Sequence, residues 1–259
     1  TLKDVEILVL DEADQMLDLG FIHALRQIVP MLPKDRQTLF FSATMPKTIS
    51  ELAGKFLRNP AKVSVAPEST TAERVAQSAM FVSHGQKQSL LKHVVQNGEV
   101  DRALVFVRTK HGADRVVRKL LGQGIPALAI HGNKSQPQRI KALEAFKSGE
   151  CNVMVATEVA ARGIDIDGLS HVINYDVPNV PEQYVHRIGR TGRAGAEGIA
   201  ISFVANDERP FLRDIEKLIR MKVPIVETPQ GLGEDEVVPD RPRSEGRGRG
   251  APGAGRGRP

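Results

Sequence analysis

Residues 5–14, with the sequence VEILVLDEAD, decide the fold expected for this chain. Residues 5–10 form a short and almost continuous apolar run, which is typical of a parallel strand covered on both faces. Three acids follow within four positions, whereas a capped turn between a strand and a helix needs only one. Parallel sheets bind ligands at the edge where their strands end. The stretch therefore predicts an α/β fold with a ligand site directly after this strand.

Apolar runs and helical periodicity alternate along the rest of the chain. Before residue 67 we expect further strands at 38–41 and 61–66, and helices at 15–28 and after Pro46. Residues 67–74 are polar without periodicity and are predicted to be a linker. Beyond it, strands are expected at residues 79–82, 103–107, 127–130, 153–156, 171–175 and 199–204, and helices at residues 87–96, 112–121, 136–146, 181–188 and 207–219. This order predicts parallel sheets flanked by helices and joined by right-handed crossovers.

The composition is that of a soluble globular protein with room for two domains in its 259 residues. No apolar run approaches the ~18 residues of a membrane span, so we expect no membrane partner. Cys151 is the only cysteine, which excludes an internal disulfide and a cysteine zinc site and favours a reducing, cytoplasmic compartment. The chain opens at Thr1 with neither an initiator methionine nor a signal pattern, and we interpret it as a fragment.

The basic excess of the chain is confined to its C-terminal residues. The net charge is +5, and residues 241–259 hold six arginines against Glu245 alone, so residues 1–240 balance at zero. Residues 231–259 are rich in Gly, Pro and Arg, and we expect a disordered tail over 221–259. Any grip on nucleic acid by the folded part must therefore come from the local placement of residues.

Residues 186–195, with the sequence HRIGRTGRAG, place three arginines at intervals of three among glycines. Neither a helix face nor a strand face requires this pattern. Glycines allow the backbone to approach a ligand closely, and arginines form charge-assisted contacts with phosphate oxygens. Taken alone, the stretch is also compatible with a basic surface turn. Whether this stretch is interpreted as a phosphate-binding element depends on the other motifs in the sequence.

An acid pair after a strand is suited to nucleotide hydrolysis. The first carboxylate, on Asp11, can hold Mg²⁺ through its waters, and the second, on Glu12, can polarise the attacking water. The matching phosphate loop, G-x-x-x-x-G-K-S/T, is absent. Gly54 and Lys55 come nearest to it, but Ile49 and Phe56 occupy the positions of the first glycine and the hydroxyl. For a nucleoside triphosphatase, the loop is expected to precede Thr1.

Four strings together resemble the DEAD-box RNA helicases in order and spacing: residues 11–14 (DEAD), 42–44 (SAT), 156–166 (ATEVAARGIDI) and 186–195. The resemblance covers residues 1–220. Within the family, residues 108–114 (RTKHGAD), residues 131–136 (HGNKSQ) and the Arg/Gly tail resemble the bacterial RhlE type. One departure is Glu158, where many relatives have Asp, and the charge is the same.

The resemblance implies two RecA-like domains that clamp ATP between them and RNA across them. Residues 1–66 would be the C-terminal part of the first domain and residues 75–220 the complete second one, followed by the tail. It implies an ATP-dependent RNA helicase that uses Mg²⁺ and remodels RNA duplexes and ribonucleoproteins as its domains close. A monomer is expected, with ribosome-assembly or RNA-decay proteins as possible partners. The 259 residues by themselves are expected to be inactive.

The resemblance also implies roles for individual residues. In catalysis and ATP binding these are Asp11, Glu12, Gly163, Asp165, His186, Arg190 and Arg193, of which Asp165 would contact the ribose, Arg190 and Arg193 the γ-phosphate, and His186 the acids. Asp14, Ser42 and Thr44 would couple ATP occupancy to domain closure. Gln136, Arg139 and Thr157 would contact the RNA backbone, which supplies affinity without sequence information.

Two alternatives remain open at this point. A DNA helicase or translocase of the same superfamily would also use paired RecA-like domains. The strings at residues 11–14 and 186–195 speak against it. A non-catalytic module, in which the second domain and basic tail bind RNA or a protein, would suit the fragment by itself.

Overall fold

A computed structural model describes residues 2–18, 21–64, 75–98, 100–162, 164, 166, 168–192 and 197–234. These residues belong to two compact units, Thr1–Ala66 and Pro67–Pro259. Within the described ranges, no helix combines the length and the apolar character needed to cross a membrane.

The first unit contains a small parallel sheet with short helices. Its elements are β1 (Ile7–Leu10), α1 (Ala13–Asp18), α2 (Ile22–Ile28), a 3-10 turn (Val29–Met31), β2 (Gln37–Phe40) and α3 (Lys47–Phe56). The strands run in register, so that Leu10 lies beside Phe40 at their carboxyl ends. Burial is one-sided among the described residues, because Leu10 is buried whereas Ile7 and Val9 are more than half exposed. The prediction of a strand covered on both faces is therefore wrong for the residues described.

The helix predicted over residues 15–28 is in fact two helices. The Phe21 N–H donates to the Met16 carbonyl across 3.0 Å, six residues counted inclusively. Phe21 then precedes the first residue of the second helix, Ile22. The apolar periodicity continues through the break and concealed it.

The strand predicted at 61–66 is also wrong over its described part. Residues 61–64 have no strand conformation, and Val63 is 88% exposed. A strand needs a neighbour for its backbone groups, and within the part of this unit that the structure describes β1 and β2 pair only with each other. Apolar alternation alone cannot supply that neighbour.

The second unit is built on a six-stranded parallel sheet. Its strands are β3 (Val75–Phe81), β4 (Ala103–Phe106), β5 (Leu128–Ile130), β6 (Val153–Ala156), β7 (His171–Asn174) and β8 (Gly198–Val204), in the order β3-β8-β7-β4-β6-β5. The helices are α4 (Lys87–Asn97), α5 (Lys110–Gly122), α6 (Gln136–Lys147), α7 (Glu158–Ala161), α8 (Pro181–Ile188) and α9 (Arg209–Ile219), with a 3-10 turn at Asn206–Glu208. The predicted α/β fold with parallel sheets between helices is confirmed.

The core of this unit forms two layers on opposite faces of the sheet. In β4, Ala103 and Val105 face α4 and α5, whereas Leu104 and Phe106 face the side of α6 and α7. Helices α8 and α9 pack on the same side as α6, over β3 and β8. All four residues of β4 are buried because the strand is central, which explains its continuous apolar sequence.

The segment at residues 221–234 corrects the predicted extent of the tail. Its residues form an extra parallel bridge beside β3, in which the Ala79 N–H donates to the Pro224 carbonyl and the Val226 N–H to the Ala79 carbonyl, each across 2.9 Å. Val223 is buried. Pairing with the open edge of β3 orders this segment, although its sequence has no strand pattern. The rest of the predicted tail, 235–259, lies outside the described residues.

Candidate functional site

The carboxyl ends of β1 and β2 bring the predicted acids and hydroxyls of the first unit together. The Phe41 N–H donates to the Leu10 carbonyl across 2.8 Å, and the Ala13 N–H donates to the Phe41 carbonyl across 3.0 Å. These backbone bonds fix the turn after β1 against the turn after β2. Residues 28 or more positions apart in sequence therefore become neighbours.

Asp14 connects the two turns through its side chain. Its Oδ2 accepts hydrogen bonds from the Thr44 N–H at 2.9 Å and from the Thr44 hydroxyl at 2.8 Å. The Ser42 hydroxyl accepts from the Asp14 N–H at 3.2 Å and donates to the Thr44 carbonyl at 2.7 Å. The three residues predicted to act in coupling thus form one hydrogen-bonded group. These bonds tie the turn after β1 to the turn after β2.

Asp11 and Glu12 lie at the start of the same turn. The Glu12 N–H donates to the Asp11 Oδ1 across 2.9 Å, and the Asp11 side chain is exposed. Glu12 has a φ of 51°, one of three positive values at non-glycine residues in the described chain. Such a conformation costs of order 1–3 kcal/mol and concentrates at functional sites. The backbone is therefore strained at Glu12, directly beside the exposed Asp11 carboxylate.

In the second unit, residues 186–192 are the described part of the stretch at 186–195 that was predicted to bind phosphate. His186 lies in the last turn of α8, and Arg190 follows the helix end. The Arg190 Nη1 donates to the Ile164 carbonyl across 3.2 Å, which joins this element to the segment after α7. Of the residues predicted to bind the nucleotide, Gly163, Asp165 and Arg193 lie outside the described residues.

Gly198 has a steric role that sequence reasoning missed. A Cβ at this position would lie 2.5 Å from the Gly192 backbone nitrogen and 2.6 Å from the Thr191 Oγ1. Real Cβ atoms do not approach backbone atoms so closely. Only glycine at position 198 therefore allows the turn after α8 to pass so close to β8. The buried Thr191 hydroxyl, which donates to the Leu169 carbonyl, holds that turn down.

The predicted RNA residues lie at the carboxyl ends of β5 and β6. Gln136 begins α6, and the Arg139 Nη1 donates to its Oε1 across 3.3 Å. Ser135 and Gln138 form a capping box at this helix start. Thr157 is the N-cap of α7, and its N–H donates to the Ile130 carbonyl across 3.3 Å. The structure therefore gathers Gln136, Arg139 and Thr157 at one edge of the sheet.

The loop before α6 is held by polar contacts with Asp114, which lies on α5. His131 is buried, with its Nε2 3.0 Å from the Asp114 Oδ1, and its Nδ1 accepts the Asn133 N–H at 3.3 Å. The Lys134 Nζ lies 2.8 Å from the same Asp114 oxygen. Partial burial tends to raise the pKa of the Asp114 carboxyl, but hydrogen bonds and charge from Lys134 and His131 outweigh it and lower that pKa. The cluster fixes the start of α6 and so the position of Gln136.

A buried charge network lies at the carboxyl ends of β7 and β8, and the sequence did not indicate it. Lys87 is 1% exposed and Glu208 fully buried, and the Lys87 Nζ donates to the Glu208 Oε2 across 2.6 Å and to the Tyr175 carbonyl across 2.7 Å. The other Glu208 oxygen accepts from Arg108 at 3.1 Å. The residues are 121 positions apart, so no local pattern joins them.

Replacing Glu208 with Ala is expected to destabilise the protein by about 3–5 kcal/mol, because it leaves the buried Lys87 charge without its main partner. Urea unfolding followed by circular dichroism measures this change. The matched control is Asp214→Ala, which removes the exposed ion pair with Lys217 and should cost only about 0.3–0.5 kcal/mol. Equal effects of the two substitutions would contradict the importance of the buried pair.

Among the described residues, no group of three or more His, Cys, Asp and Glu side chains is placed to hold a metal ion. A water-mediated Mg²⁺ site needs fewer ligands, because Mg²⁺ keeps several of its waters and binds through one or two carboxylates and the substrate phosphates. The exposed Asp11 carboxylate fits that kind of site.

Parallel α/β units, one of which carries acids and hydroxyls at the carboxyl edge of its sheet, are those of the RecA-like class. The sequence matches two protein families: "DEAD/DEAH box helicase" over residues 1–52 and "Helicase conserved C-terminal domain" over residues 86–195. The chain belongs to the family of DEAD-box ATP-dependent RNA helicases.

Named relatives and solved structures support this assignment. The chain is 42% identical over 249 residues to the DEAD-box ATP-dependent RNA helicase CshA of Bacillus subtilis, covering 94% of this chain and 50% of the relative. It is 44% identical over 221 residues to the ATP-dependent RNA helicase RhlB of Pseudomonas syringae, covering 85% and 56%. The chain spans about half the length of the curated relatives that it matches.

Two solved structures extend the comparison to the fold. The S. cerevisiae protein Dbp5, bound to RNA and ADP BeF3, has a TM-score of 0.77 and 32% identity, with 88% of this chain and 61% of that chain covered. The E. coli DEAD-box protein SrmB, bound to the regulator RraA, has a TM-score of 0.58 and 34% identity, with 64% and 98% covered.

Proposed function

We propose that the full-length protein is an ATP-dependent RNA helicase that unwinds or remodels RNA duplexes and ribonucleoproteins through an ATP-driven cycle of domain closure. The observation that carries the proposal is the bonding of Asp14 to Ser42 and Thr44 in a chain of this family. Residues 1–66 would be the C-terminal part of one RecA-like domain and residues 75–220 a second complete one. The strings at residues 108–114 and 131–136 favour the RhlE type.

The acids after β1 would serve ATP hydrolysis. The exposed carboxylate of Asp11 would hold Mg²⁺ through water, and the ion would neutralise charge on the phosphates. Glu12 would orient and polarise the attacking water, because a carboxylate can accept its hydrogen bond as the bond to phosphorus forms. The positive φ of Glu12 supports an aimed side chain. Asp14 would pass the resulting displacement to Ser42 and Thr44.

The residues of the second unit would supply positive charge to the same reaction. Arg190 and Arg193 would stabilise charge on the transferring phosphoryl group, His186 would contact the acids, and Asp165 would bind the ribose beside Gly163. The attachment of Arg190 to the Ile164 carbonyl supports a fixed starting position for its guanidinium. Such pre-positioned charge is the main catalytic device in phosphoryl transfer.

The RNA would bind along Gln136, Arg139 and Thr157 through its sugar-phosphate backbone. Gln136 is exposed at the first turn of α6, and Arg139 lies one turn further along. Such contacts are independent of base sequence, so a broad range of RNAs is expected as substrate. A monomer in the cytoplasm, with partners in ribosome assembly or RNA decay, completes the proposal.

The test of this function is ATP hydrolysis by the purified full-length protein with different nucleic acids. We expect single-stranded RNA to stimulate phosphate release and the protein to separate a short RNA duplex, whereas DNA of the same sequence should stimulate far less. Equal stimulation by DNA would favour a DNA translocase instead. No hydrolysis with any nucleic acid would favour a non-catalytic binding module.

Replacing Arg139 with Ala is expected to weaken RNA binding about equally for all sequences, because the contact is with phosphate. It should also lower the slope of log Kd against log salt by about one unit. Titrations of homopolymer RNAs at several salt concentrations measure both effects. Arg213→Ala is the control, because Arg213 is exposed on α9 at the opposite end of the sheet. A loss confined to one RNA sequence would contradict backbone recognition.

A further inference from the structure

Arg187 is a buried cation between His186 and Arg190. It is 4% exposed, and its Nε donates to the Glu158 Oε2 across 2.7 Å. Its Nη1 donates to the Asp176 carbonyl at 2.8 Å and to the Asn174 Oδ1 at 3.3 Å. The guanidinium carbon lies 4.9 Å from the centre of the Phe106 ring. Several sides of the guanidinium are therefore fixed by partners from different elements.

The partner of Arg187 begins the segment that carries the RNA contact. Glu158 is the first residue of α7, directly after Thr157. Six residues beyond Glu158, the Ile164 carbonyl accepts the hydrogen bond from Arg190. The residues 158–164 are thus attached at both ends to two arginines of the element at 186–192. This segment and the element at residues 186–192 cannot shift relative to each other without breaking a bond at one end.

Asp176 extends the connection to the end of β4. Its carbonyl accepts from Arg187, while its carboxylate Oδ2 accepts the Arg108 N–H at 2.7 Å and its Oδ1 lies 3.5 Å from the Lys87 Nζ. The ends of β4, β7 and α8 are therefore joined in one polar network. Arg187 is the member that reaches toward the segment at 157–164.

Stability alone does not account for such a pair. A buried ion pair contributes no more than well-packed apolar residues of the same size, and often less, because both charges lose their hydration. What the pair adds is a fixed relative position of the two chain segments to which Glu158 and Arg187 belong. In this protein the pair joins the segment that begins at Thr157 to the element at residues 186–192, which contains His186 and Arg190.

We propose that Arg187 is a positioning residue that, through Glu158, couples occupation of the RNA-binding segment to the placement of the nucleotide-binding residues. This inference rests on the proposed function. RNA held at Thr157 would restrict residues 157–164, and the bonds to Arg187 and Arg190 would restrict α8 in turn. A nucleotide that binds second then needs less ordering, which is positive coupling without a new contact. By linkage, ATP must favour RNA binding by the same factor.

The test is a linkage measurement on the full-length protein. The Kd for single-stranded RNA is measured with and without a non-hydrolysable ATP analogue, and the Kd for the analogue with and without RNA. Wild type should show a coupling factor within the usual range of about 5–150. Arg187→Lys and Glu158→Ala should bring that factor close to one, while the Kd of each ligand alone changes by less than about twofold, since neither residue touches a ligand.

Two further variants separate positioning from stability. Glu158→Gln keeps the reach to the Arg187 Nε and should restore much of the coupling that Glu158→Ala loses. Ile215→Ala opens a cavity in the apolar core beneath α9, where Ile215 is fully buried, and should lower the melting temperature without changing the coupling factor. If Arg187→Lys does not fold, the Glu158 pair of variants decides the question.

The outcomes distinguish the two levels of the proposal. Coupling retained in Glu158→Ala, or lost equally in Ile215→Ala, would overturn the positioning role and leave the proposed function intact. Wild-type protein without any linkage between the analogue and RNA, and without RNA-stimulated hydrolysis, would overturn the proposed function and this inference together.

Discussion

Replacing Arg193 with Ala in the full-length protein is expected to lower the rate of RNA-stimulated ATP hydrolysis by about 10³–10⁵, and to leave RNA binding largely intact. An arginine that meets the charge developing on the γ-phosphate contributes about that factor. The corresponding change in the activation barrier is about 4–7 kcal/mol. Steady-state phosphate release at saturating RNA and ATP measures the rate, and fluorescence anisotropy measures RNA binding.

A structural role for Arg193 would give a different pattern, with a lowered melting temperature and a loss of both activities. Arg118→Ala is the matched control for the removed charge, because Arg118 is exposed on α5. It should retain the wild-type rate. An Arg193→Ala protein that hydrolysed ATP within a few-fold of wild type would refute its assignment to the phosphate.

Replacing Glu12 with Gln is expected to lower the same rate by about 10²–10⁴, which is the usual contribution of a positioned general base. The carboxamide has the size of the carboxylate but cannot take up a proton. The backbone at this position, with its φ of 51° and the hydrogen bonds from the Met16 N–H and to the Asp11 Oδ1, tolerates Gln as well as Glu. ATP and RNA affinities should therefore persist.

The measurement for Glu12→Gln is single-turnover hydrolysis with RNA present, which separates the chemical step from product release. Asp4→Asn is a suitable control for loss of one carboxylate, because Asp4 is exposed before β1. Binding of ATP that fell together with the rate would show that Glu12 positions the nucleotide instead of activating water.

The local patterns of the sequence predicted most of the secondary structure of the second unit. Each of its six strands begins or ends within a few residues of the expected position, because continuous apolar runs are needed wherever both faces of a parallel strand are buried, as in β4 and β6. The first unit was predicted less well. The break between α1 and α2, marked by the bond from the Phe21 N–H to the Met16 carbonyl, and the missing strand at 61–64 both depend on hydrogen-bond partners that periodicity does not reveal.

The candidate site also has a part that the sequence predicted and a part that only the fold reveals. The motifs at residues 11–14 and 42–44 were recognisable, because each is a short string with a chemical purpose. The bonds that unite them run from Asp14 to Thr44, 30 positions apart. Those bonds follow from the parallel pairing of β1 with β2, which brings the ends of the two strands to the same edge.

The sequence by itself determined the class of fold, the alternation of its elements and the residue types available for phosphate, water and RNA, since these depend on local periodicity and on short motifs. Only the tertiary structure decided which charges are buried together. Lys87 meets Glu208 across 121 positions, and Arg187 meets Glu158 across 29. A charged residue in a linear sequence is most simply interpreted as exposed, because burial of an unpaired ion is so unfavourable. Its partner appears only when the chain has folded and brought distant strand ends to one edge of the sheet.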